Sequence, residues 1–431
     1  MMTHHLTRRD LLRFSAIGLG SASLFAIAGC STTGPATGGA GTPDVGGEAT
    51  DFSFASWSLS EEAPKATVQA AIDAFAGDKG VSVETVTFPY NEYLNQLTLQ
   101  VRGGQFAGAV QVDVAWLAAL AALGKLADLG PLAEGRGYTA AALAAGRLDD
   151  VQYGLPWTIG AIGLIGNAEL FDRAGASLEP ASIEEFEEGL RALKGIGVTP
   201  YAAATAAAQL KDILMWMQTF GSPLVEGDSV EIGDEASVKA VEWYKKLFDE
   251  GLIAPDVDRF AARNLFAQEA AALYDDAPVG VSAVRSAATD PAIVDKMVPI
   301  ARPVARTGDA PVATLWGHAV CVVSGDGEGT AAEFAQWLTS DDEQTAAYFE
   351  ALSLPPATES GLQSEAVGAD RFNSEFAERI TATATKNPFW GYVNYAQMET
   401  AIAENVQAVL IGDASPADAL AEAKSTIAGM L

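Results

Sequence analysis

Short strand-like patterns alternate with helical patterns from Phe52 onward, and this alternation constrains the fold more than any other feature. Residues 52–57 alternate between apolar and polar side chains, residues 81–86 do the same, and residues 112–115 form a third short apolar run. The segments between these runs place apolar residues on one helical face. Strands that alternate with helices are typical of a mainly parallel sheet covered by helices on both faces.

Residues 151–157 break this rhythm, and a second α/β block follows them. Three of its predicted helices begin at capping signals: Ser182 with Glu185, Thr330 with Glu333, and Ser415 followed by Pro416. The sequence therefore predicts an α/β fold with two units of ordinary domain size.

The first 50 residues have the composition of a leader and a tether. Arg8 and Arg9 precede an apolar run of about 15 residues, which ends in Ile27-Ala28-Gly29-Cys30. Such a run is shorter than the roughly 20 residues that span a bilayer. We expect residues 1–29 to be a signal peptide of the twin-arginine type and Cys30 to be lipidated after cleavage. The alternative is an ordinary secretory signal with an incidental cysteine.

Residues 30–50 are rich in Gly, Thr, Pro and Ala, and we expect them to form a flexible, lipid-anchored linker. A linker of this kind has a reach of about 25 Å. It would hold the folded protein near a membrane without embedding it.

Charge and residue counts exclude several functions. The chain carries a formal net charge of −30, which disfavours nucleic acid and anionic lipid as partners. Beyond Cys30 the only cysteine is Cys321, which lies in an apolar run and is expected to be a buried thiol. Beyond the leader the only histidine is His318, so a histidine-based metal site and histidine-dependent catalysis are not expected. We predict no cofactor, no metal and no enzymatic activity.

Several motifs in order resemble those of the extracellular solute-binding proteins of ABC importers, the group that includes maltose-binding protein. They are Pro89-Tyr90-Asn91-Glu92-Tyr93-Leu94, Val112-Asp113-Val114-Ala115-Trp116-Leu117, Tyr153-Gly154-Leu155-Pro156-Trp157 and Asn167-Ala168-Glu169-Leu170-Phe171. The resemblance implies a two-lobe, periplasmic-binding-protein-like fold with a hinge that the chain crosses more than once. It implies a first lobe of residues 51–157 plus 300–325 and a second lobe of residues 158–297 plus 326–431.

The resemblance also implies that a solute binds between the lobes and that a membrane permease receives it from a monomeric receptor. Aromatic faces stack on sugars, and planar polar groups pair with sugar hydroxyls. The residues that we expect at the cleft for this reason are Trp57, Tyr90, Trp116, Trp157, Thr158, Trp316 and Trp390. Ordinary packing in a core is the alternative for each of them.

Asp275 and Asp276 follow a short predicted strand and are the remaining candidates for ligand contact. Solvated charge in a loop is the alternative for both. Relatives often have Tyr-Val-Gly-Gly-Pro-Trp at this point, whereas this chain has Val279 in place of the tryptophan. This difference favours a smaller or more polar ligand than a maltose-like one. We expect a mono- or oligosaccharide receptor. The alternatives are a receptor for a polyamine or another cationic solute, held by Asp275 and Asp276, and a secreted carbohydrate-active enzyme.

Overall fold

The structure, a computed structural model, describes residues 41–227 and 229–430. The predicted signal peptide and the predicted lipidation site Cys30 lie outside the described residues. The strands are β1 (Phe52–Ala55), β2 (Val83–Val86), β3 (Gly108–Asp113), β4 (Arg147–Leu148), β5 (Val151–Gln152), β6 (Gly154–Pro156), β7 (Gly160–Asn167), β8 (Val225–Glu226), β9 (Ser229–Val230), β10 (Leu273–Asp276), β11 (Met297–Ile300), β12 (Thr314–Trp316) and β13 (His318–Val323).

Two of the three capping signals predicted from the sequence begin a helix. In chain order the helices are α1 (Glu62–Lys79), α2 (Tyr90–Arg102), α3 (Leu117–Ala121), α4 (Gly130–Ala133), α5 (Ala140–Ala145), α6 (Ala168–Ala174), α7 (Ile183–Gly195), α8 (Ile213–Thr219), α9 (Glu235–Asp249), α10 (Arg259–Ala267), α11 (Gly280–Ala287), α12 (Glu328–Ser340), α13 (Asp342–Leu352), α14 (Glu359–Leu362), α15 (Glu365–Ala369), α16 (Arg371–Arg379), α17 (Tyr395–Ile411) and α18 (Pro416–Ala428). Ser182 and Ser415 cap α7 and α18, as predicted.

Two separate sheets define two lobes, so the two-lobe α/β prediction is confirmed. The first sheet has the order β2-β1-β3-β13-β6, and the second has the order β10-β7-β11 with β12 also paired to β7. In the first sheet β1 pairs in parallel with β2 and β3, whereas β13 runs antiparallel to its neighbours. The named strands of the second sheet all pair antiparallel to β7. The strand directions are therefore more mixed than the mainly parallel sheets that we predicted.

The chain passes between the sheets at a hinge made of neighbouring backbone segments. It leaves the first sheet after β6 and enters the second at β7, and it returns through Gly317 between β12 and β13. The nitrogens of Trp157 and Thr158 donate to the carbonyl oxygen of His318 at 2.8 and 3.1 Å. A side chain on Gly317 would place its Cβ 2.3 Å from the carbonyl oxygen of Thr158, so the two crossings approach too closely for any other residue.

The helix α12 packs on the first sheet and α13 packs on α12 and α1, so both belong to the first lobe, whereas the sequence grouped residues 326–431 with the second lobe. Phe334 of α12 contacts Phe52 and Phe54 of β1, with ring centroids 5.4 and 5.0 Å apart. Tyr348 of α13 stacks on Trp157, with ring centroids 3.7 Å apart. The apolar faces of these two helices are buried in the core of the first lobe. The chain returns to the second lobe only after α13, where α16 packs against β11.

Residues 41–50, which we call the N-terminal strap, lie against the first lobe, although we predicted a flexible linker up to residue 50. The nitrogen of Gly46 donates to Glu333 Oε1 at 2.7 Å, and the nitrogen of Thr50 donates to Thr330 Oγ1 at 2.9 Å. Thr330 and Glu333 therefore hold the strap and do not cap α12, whose N-cap is Gly327.

Candidate functional site

A cavity of about 100 Å³ lies between the two lobes. The first lobe contributes residues that follow β1 and β3, and the second contributes residues from the end of β10, from α8 and α10, and from the loop before α17. The side chains around this cavity fall into an aromatic wall on the first lobe and a charged wall on the second.

The aromatic wall is formed by Trp57, Tyr90 and Trp316, together with His318. Trp57 sits in the turn that ends β1, and its ring meets that of Tyr90 edge to face, with centroids 5.6 Å apart. Trp116 packs behind them, 5.2 Å from Trp57 and 5.1 Å from Tyr90. The wall is thus rigid because each ring is fixed by at least one other aromatic ring.

Asp113 ends β3 and joins two of these aromatic residues. Its Oδ2 accepts hydrogen bonds from the Tyr90 hydroxyl at 2.6 Å and from Trp316 Nε1 at 2.7 Å, while Oδ1 accepts from the nitrogen of Ala115 at 2.9 Å. Burial raises the pKa of this carboxyl, and the three hydrogen bonds limit the rise. Asp113 lines the cavity and orients the polar edges of Tyr90 and Trp316.

The charged wall contains a chain of four ionised groups. Arg263 donates to Asp276 from Nε at 2.7 Å and from Nη2 at 3.0 Å. Arg259 donates to Asp212 at 2.6 Å and lies 3.7 Å from Asp276. Burial would lower the pKa of Arg259, but the carboxylates of Asp212 and Asp276 outweigh this effect and raise it. These groups offer fixed donors and acceptors to the cavity without an unpaired charge among them.

Glu399 holds the next part of the second wall in place. Its Oε1 accepts hydrogen bonds from Trp390 Nε1 at 2.9 Å and from Asn387 Nδ2 at 3.0 Å, and its Oε2 lies 3.6 Å from Lys211 Nζ. Burial raises the pKa of Glu399, and Lys211 opposes this rise. Trp390 is therefore oriented by a carboxylate, much as Trp316 is oriented by Asp113.

A second cavity adjoins the first at its outer side. It lies between α2 of the first lobe and α17 of the second, and it has a volume of about 200 Å³. Four residues line both cavities, namely Tyr90, Gln209, Lys211 and Glu399. The two cavities are therefore neighbours that share part of their walls.

Five of the nine residues that the sequence predicts at the cleft line the inner cavity. These are Trp57, Tyr90, Asp276, Trp316 and Trp390. Trp116 lines only the outer cavity, because Tyr90 and Trp57 stand in front of it. Trp157 is buried against Tyr348 in the core of the first lobe, and Thr158 is a hinge residue whose hydroxyl accepts from the nitrogen of His318 at 3.0 Å. The prediction that Trp157 and Thr158 lie on the cleft wall is therefore wrong.

Asp275 is also absent from the cavity wall, because successive residues of a strand point to opposite faces. Its carboxylate forms an ion pair with the fully buried guanidinium of Arg302 and accepts a hydrogen bond from the Tyr201 hydroxyl. Burial raises the pKa of Asp275 to about 6 despite the opposing charge of Arg302. Asp275 thus belongs to the core beneath the cleft.

Sequence reasoning missed Arg259, Arg263, Asp212 and Glu399, although all four line the cavity. The two arginines lie four residues apart on α10, which places them on one helical face. This spacing was the available signal for a shared site. It is a weak signal, because surface helices often carry two charged residues at this spacing. Asp212 and Glu399 lie in helical patterns that give no sign of burial.

Within residues 41–227 and 229–430, no group of His, Cys, Asp or Glu side chains is arranged to hold a metal ion. The same part of the chain contains no helix that is both long enough and apolar enough to cross a membrane. Cys321 is buried in the first sheet, as predicted.

Residues 70–372 match the family model described as "Bacterial extracellular solute-binding protein". The chain belongs to this family. The prediction of a solute-binding protein is therefore confirmed, and the family places the protein outside the cytoplasm. Among curated proteins, the chain is 24% identical over 214 residues to a Brucella abortus (strain 2308) protein named "Putative binding protein", a match that covers 47% of this chain and 52% of that protein. The chain thus spans about half the length of the curated relatives that it matches.

Three solved structures of binding proteins have the same fold as this family member. The GacH receptor of Streptomyces glaucescens GLA.O, determined unliganded and with acarbose, is 23% identical, with a TM-score of 0.80 over 89% of this chain and 98% of that chain. Maltose-bound MalE3 of T. maritima is 18% identical, with a TM-score of 0.77 over 89% and 100%. A Thermotoga lettingae TMO solute-binding protein with α-D-tagatose is 19% identical, with a TM-score of 0.76 over 89% and 99%. At these identities the likeness establishes the two-lobe fold.

Proposed function

We propose that this solute-binding protein holds a neutral mono- or oligosaccharide in the cleft between its lobes. The observation that carries the proposal is the pairing of two kinds of wall. Trp57 and Trp316 present aromatic rings on one side, and the Arg259 and Arg263 ion pairs present planar donors and acceptors on the other. A sugar has apolar C–H faces that stack on the former and hydroxyls that pair with the latter.

The solved neighbours support this class of ligand, since they bind acarbose, maltose and tagatose. The second cavity supports a ligand of more than one ring, because Tyr90 and Glu399 line it as well as the first. A ring held by Trp57 and Trp316 in the inner cavity would leave the outer cavity for a second one.

The predicted polyamine alternative depends on free carboxylates at Asp275 and Asp276, and the ion pairs of these two residues argue against it. Asp276 is bonded bidentately to Arg263, and Asp275 is paired with Arg302 away from the cavity. A cationic solute would have to displace these arginines from buried ion pairs, which is costly. The enzyme alternative would require the cavity to convert an oligosaccharide, and the family of this chain is named for binding.

Calorimetric titration of the full chain tests the proposal. The ligands are maltose, D-tagatose, acarbose and spermidine, each added to separate samples. We expect at least one sugar to bind with a measurable Kd and to raise the Tm, as any ligand specific for the folded state does. Binding of spermidine alone, weakened strongly by salt, would replace the sugar proposal with the polyamine alternative.

A second assay separates binding from catalysis. The chain is incubated with maltotriose, and the products are analysed by chromatography. A receptor leaves the oligosaccharide intact. Release of glucose or maltose by the parent chain would support the carbohydrate-active enzyme instead.

We also propose that the protein is a monomeric receptor that delivers its solute to an ABC importer permease and is anchored at the membrane through a lipid on Cys30. The leader and the Ile27-Ala28-Gly29-Cys30 sequence support the anchor. We expect Cys30→Ala to release the protein from the membrane fraction or to leave its leader uncleaved. Unchanged retention and normal processing of the variant would argue against lipidation at this residue.

The export route has its own test. Replacing Arg8 and Arg9 with lysine should block export if the paired arginines form a twin-arginine signal. Normal export of this variant would favour the general secretory route.

A further inference from the structure

His318 is the first residue of β13, and it lies on the wall of the inner cavity with 3% of its surface exposed. Its ring stands between Trp57 and Trp316, edge to face with each at a centroid distance of 4.9 Å. Both tryptophans also line the cavity. The imidazole is therefore held between the two aromatic rings of the proposed stacking wall.

One nitrogen of the ring points into the first lobe. Nδ1 lies 3.3 Å from Gln111 Nε2 and 3.1 Å from the Tyr348 hydroxyl. Gln111 and Tyr348 are buried and neither lines the cavity. The edge of the imidazole that faces the cavity is therefore the edge away from Nδ1, which carries Nε2.

The tautomer of His318 follows from the orientation of Gln111. Gln111 Oε1 accepts from the Ser56 hydroxyl at 2.5 Å and from the nitrogen of Ser58 at 3.4 Å. A backbone N–H can only donate, so the amide oxygen must lie at that end and the amide NH₂ must point at His318. Because Gln111 donates toward Nδ1, this nitrogen accepts and the ring proton lies on Nε2.

None of the hydrogen bonds formed within the described part of the chain uses Nε2 of His318. Nε2 nevertheless remains accessible to solvent, because it is absent from the set of buried polar atoms that lack a partner. Burial lowers the pKa of the imidazole to about 3, so the ring is neutral and Nε2 keeps its proton at neutral pH. The cavity therefore contains a neutral N–H donor without an acceptor among the described residues.

We propose that His318 is a specificity-determining residue whose Nε2–H donates a hydrogen bond to the bound solute. Gln111 and Tyr348 are positioning residues that fix the tautomer. The inference rests on the proposed function and narrows it: the solute presents an acceptor oxygen, such as a sugar hydroxyl or ring oxygen, between Trp57 and Trp316. An ammonium group at this point would face a donor and be rejected.

Nitrogen-15 NMR of the imidazole tests the proposal directly. Replacing His4 and His5 with glutamine leaves His318 as the only histidine of the full chain. In the free protein we expect a protonated Nε2 and an unprotonated Nδ1. Titration with maltose, D-tagatose or acarbose should shift Nε2 and its proton more than Nδ1. A proton on Nδ1, or a bound sugar that leaves Nε2 unchanged, overturns the proposal.

Two variants provide the matched comparison. The amide nitrogen of glutamine takes roughly the place of Nε2, so His318→Gln keeps a donor, whereas His318→Leu removes it. We expect His318→Leu to weaken sugar binding about tenfold or more, the loss that follows an unmade buried hydrogen bond, and His318→Gln to retain most of the affinity. Equal affinity of both variants with the parent contradicts the proposal. If His318→Leu fails to fold, the NMR titration alone tests the proposal, because it observes the imidazole of an unsubstituted His318.

Failure of this inference can be distinguished from failure of the proposed function. A chain that binds none of the three sugars contradicts the sugar proposal. The donor assignment is then decided in the free chain, by the position of the ring proton and by its exchange with water. An Nδ1 proton, or an Nε2 proton sealed from water, overturns it.

Discussion

Arg263 and Asp276 form a bidentate ion pair on the wall of the cleft, with Nε–Oδ2 and Nη2–Oδ1 distances of 2.7 and 3.0 Å. The carboxylate of Asp276 is 1% exposed and the guanidinium of Arg263 is 16% exposed, so both charges have lost most of their water. Asp276 therefore lies on the cleft wall without presenting a free carboxylate, while its neighbour Asp275 is paired with Arg302 in the core.

Breaking this pair should destabilise the fold. Asp276→Asn leaves Arg263 largely buried without its counter-charge, and we expect the free energy of unfolding to fall by about 3 kcal/mol, as for other buried pairs that lose one partner. Urea denaturation measures the change. The matched control is Glu235→Gln, which removes an exposed carboxylate from an i,i+4 pair with Lys239 and should leave the stability unchanged. Equal stability of Asp276→Asn and the parent would mean that the pair contributes nothing net.

Asp275 should make the stability depend on pH. Its folded-state pKa of about 6 lies above the ordinary value of 3.8, so the folded state binds the proton more tightly than the unfolded state does. The contribution of this group to the free energy of unfolding is therefore present below about pH 4 and is lost as the pH rises through about 6. We expect the stability of the parent, relative to Asp275→Asn, to be greater near pH 4.5 than near pH 6.5. A difference between the two proteins that is independent of pH would contradict the raised pKa.

Substitution of two tryptophans distinguishes a ring that stacks on the ligand from a ring that only packs in the core. Trp57 lines the cavity, whereas Trp157 is buried behind the wall against Tyr348. We expect Trp57→Ala to weaken sugar binding about thirtyfold, from a loss of about 2 kcal/mol for a buried aromatic contact. Trp157→Phe should leave the Kd unchanged. Calorimetric titration of the folded variants measures the Kd for the sugar. A normal affinity of Trp57→Ala would refute stacking at this ring.

The N-terminal strap depends on a glycine. Gly327 has a φ of +77°, and a Cβ at this position would lie 2.4 Å from the carbonyl oxygen of Asp51. We expect Gly327→Ala to lower the free energy of unfolding by about 1–3 kcal/mol and to speed hydrogen exchange at the amides of Gly46 and Thr50. Gly368→Ala is the matched control, because its Cβ would meet no atom within 4 Å. Unchanged exchange at both amides in Gly327→Ala would show that the strap does not depend on the close contact between Gly327 and the Asp51 carbonyl oxygen.

Ligand should bring the lobes closer together. The sheets are joined by neighbouring crossings at Trp157 and Gly317, which is the arrangement of a hinge. We expect small-angle scattering to show a smaller radius of gyration with saturating sugar than without it. A bound ligand that leaves the radius unchanged would indicate a rigid receptor.

Local sequence predicted much of the fold because the side-chain patterns that favour helices and strands repeat every few residues. The starts of α7 and α18 follow from Ser182 and Ser415, which satisfy backbone N–H groups within their own first turns. The aromatic residues that end β1 and precede β13, Trp57 and Trp316, could be placed near the cleft because strand ends face it.

Long-range contacts decided the rest. The sequence placed Asp275 and Asp276 together in the cleft, but one carboxylate pairs with Arg302 in the core and the other with Arg263 on the wall. Likewise, Thr330 and Glu333 have the pattern of a capping box, yet they hold the strap some 280 residues away in sequence. Local sequence determined the elements, the caps at Ser182 and Ser415, and the polarity of the helix faces. Only the tertiary structure decided which side chains are buried, which charges are paired and which aromatic rings face the cleft, because those properties depend on groups that are distant in sequence and meet only in the folded chain.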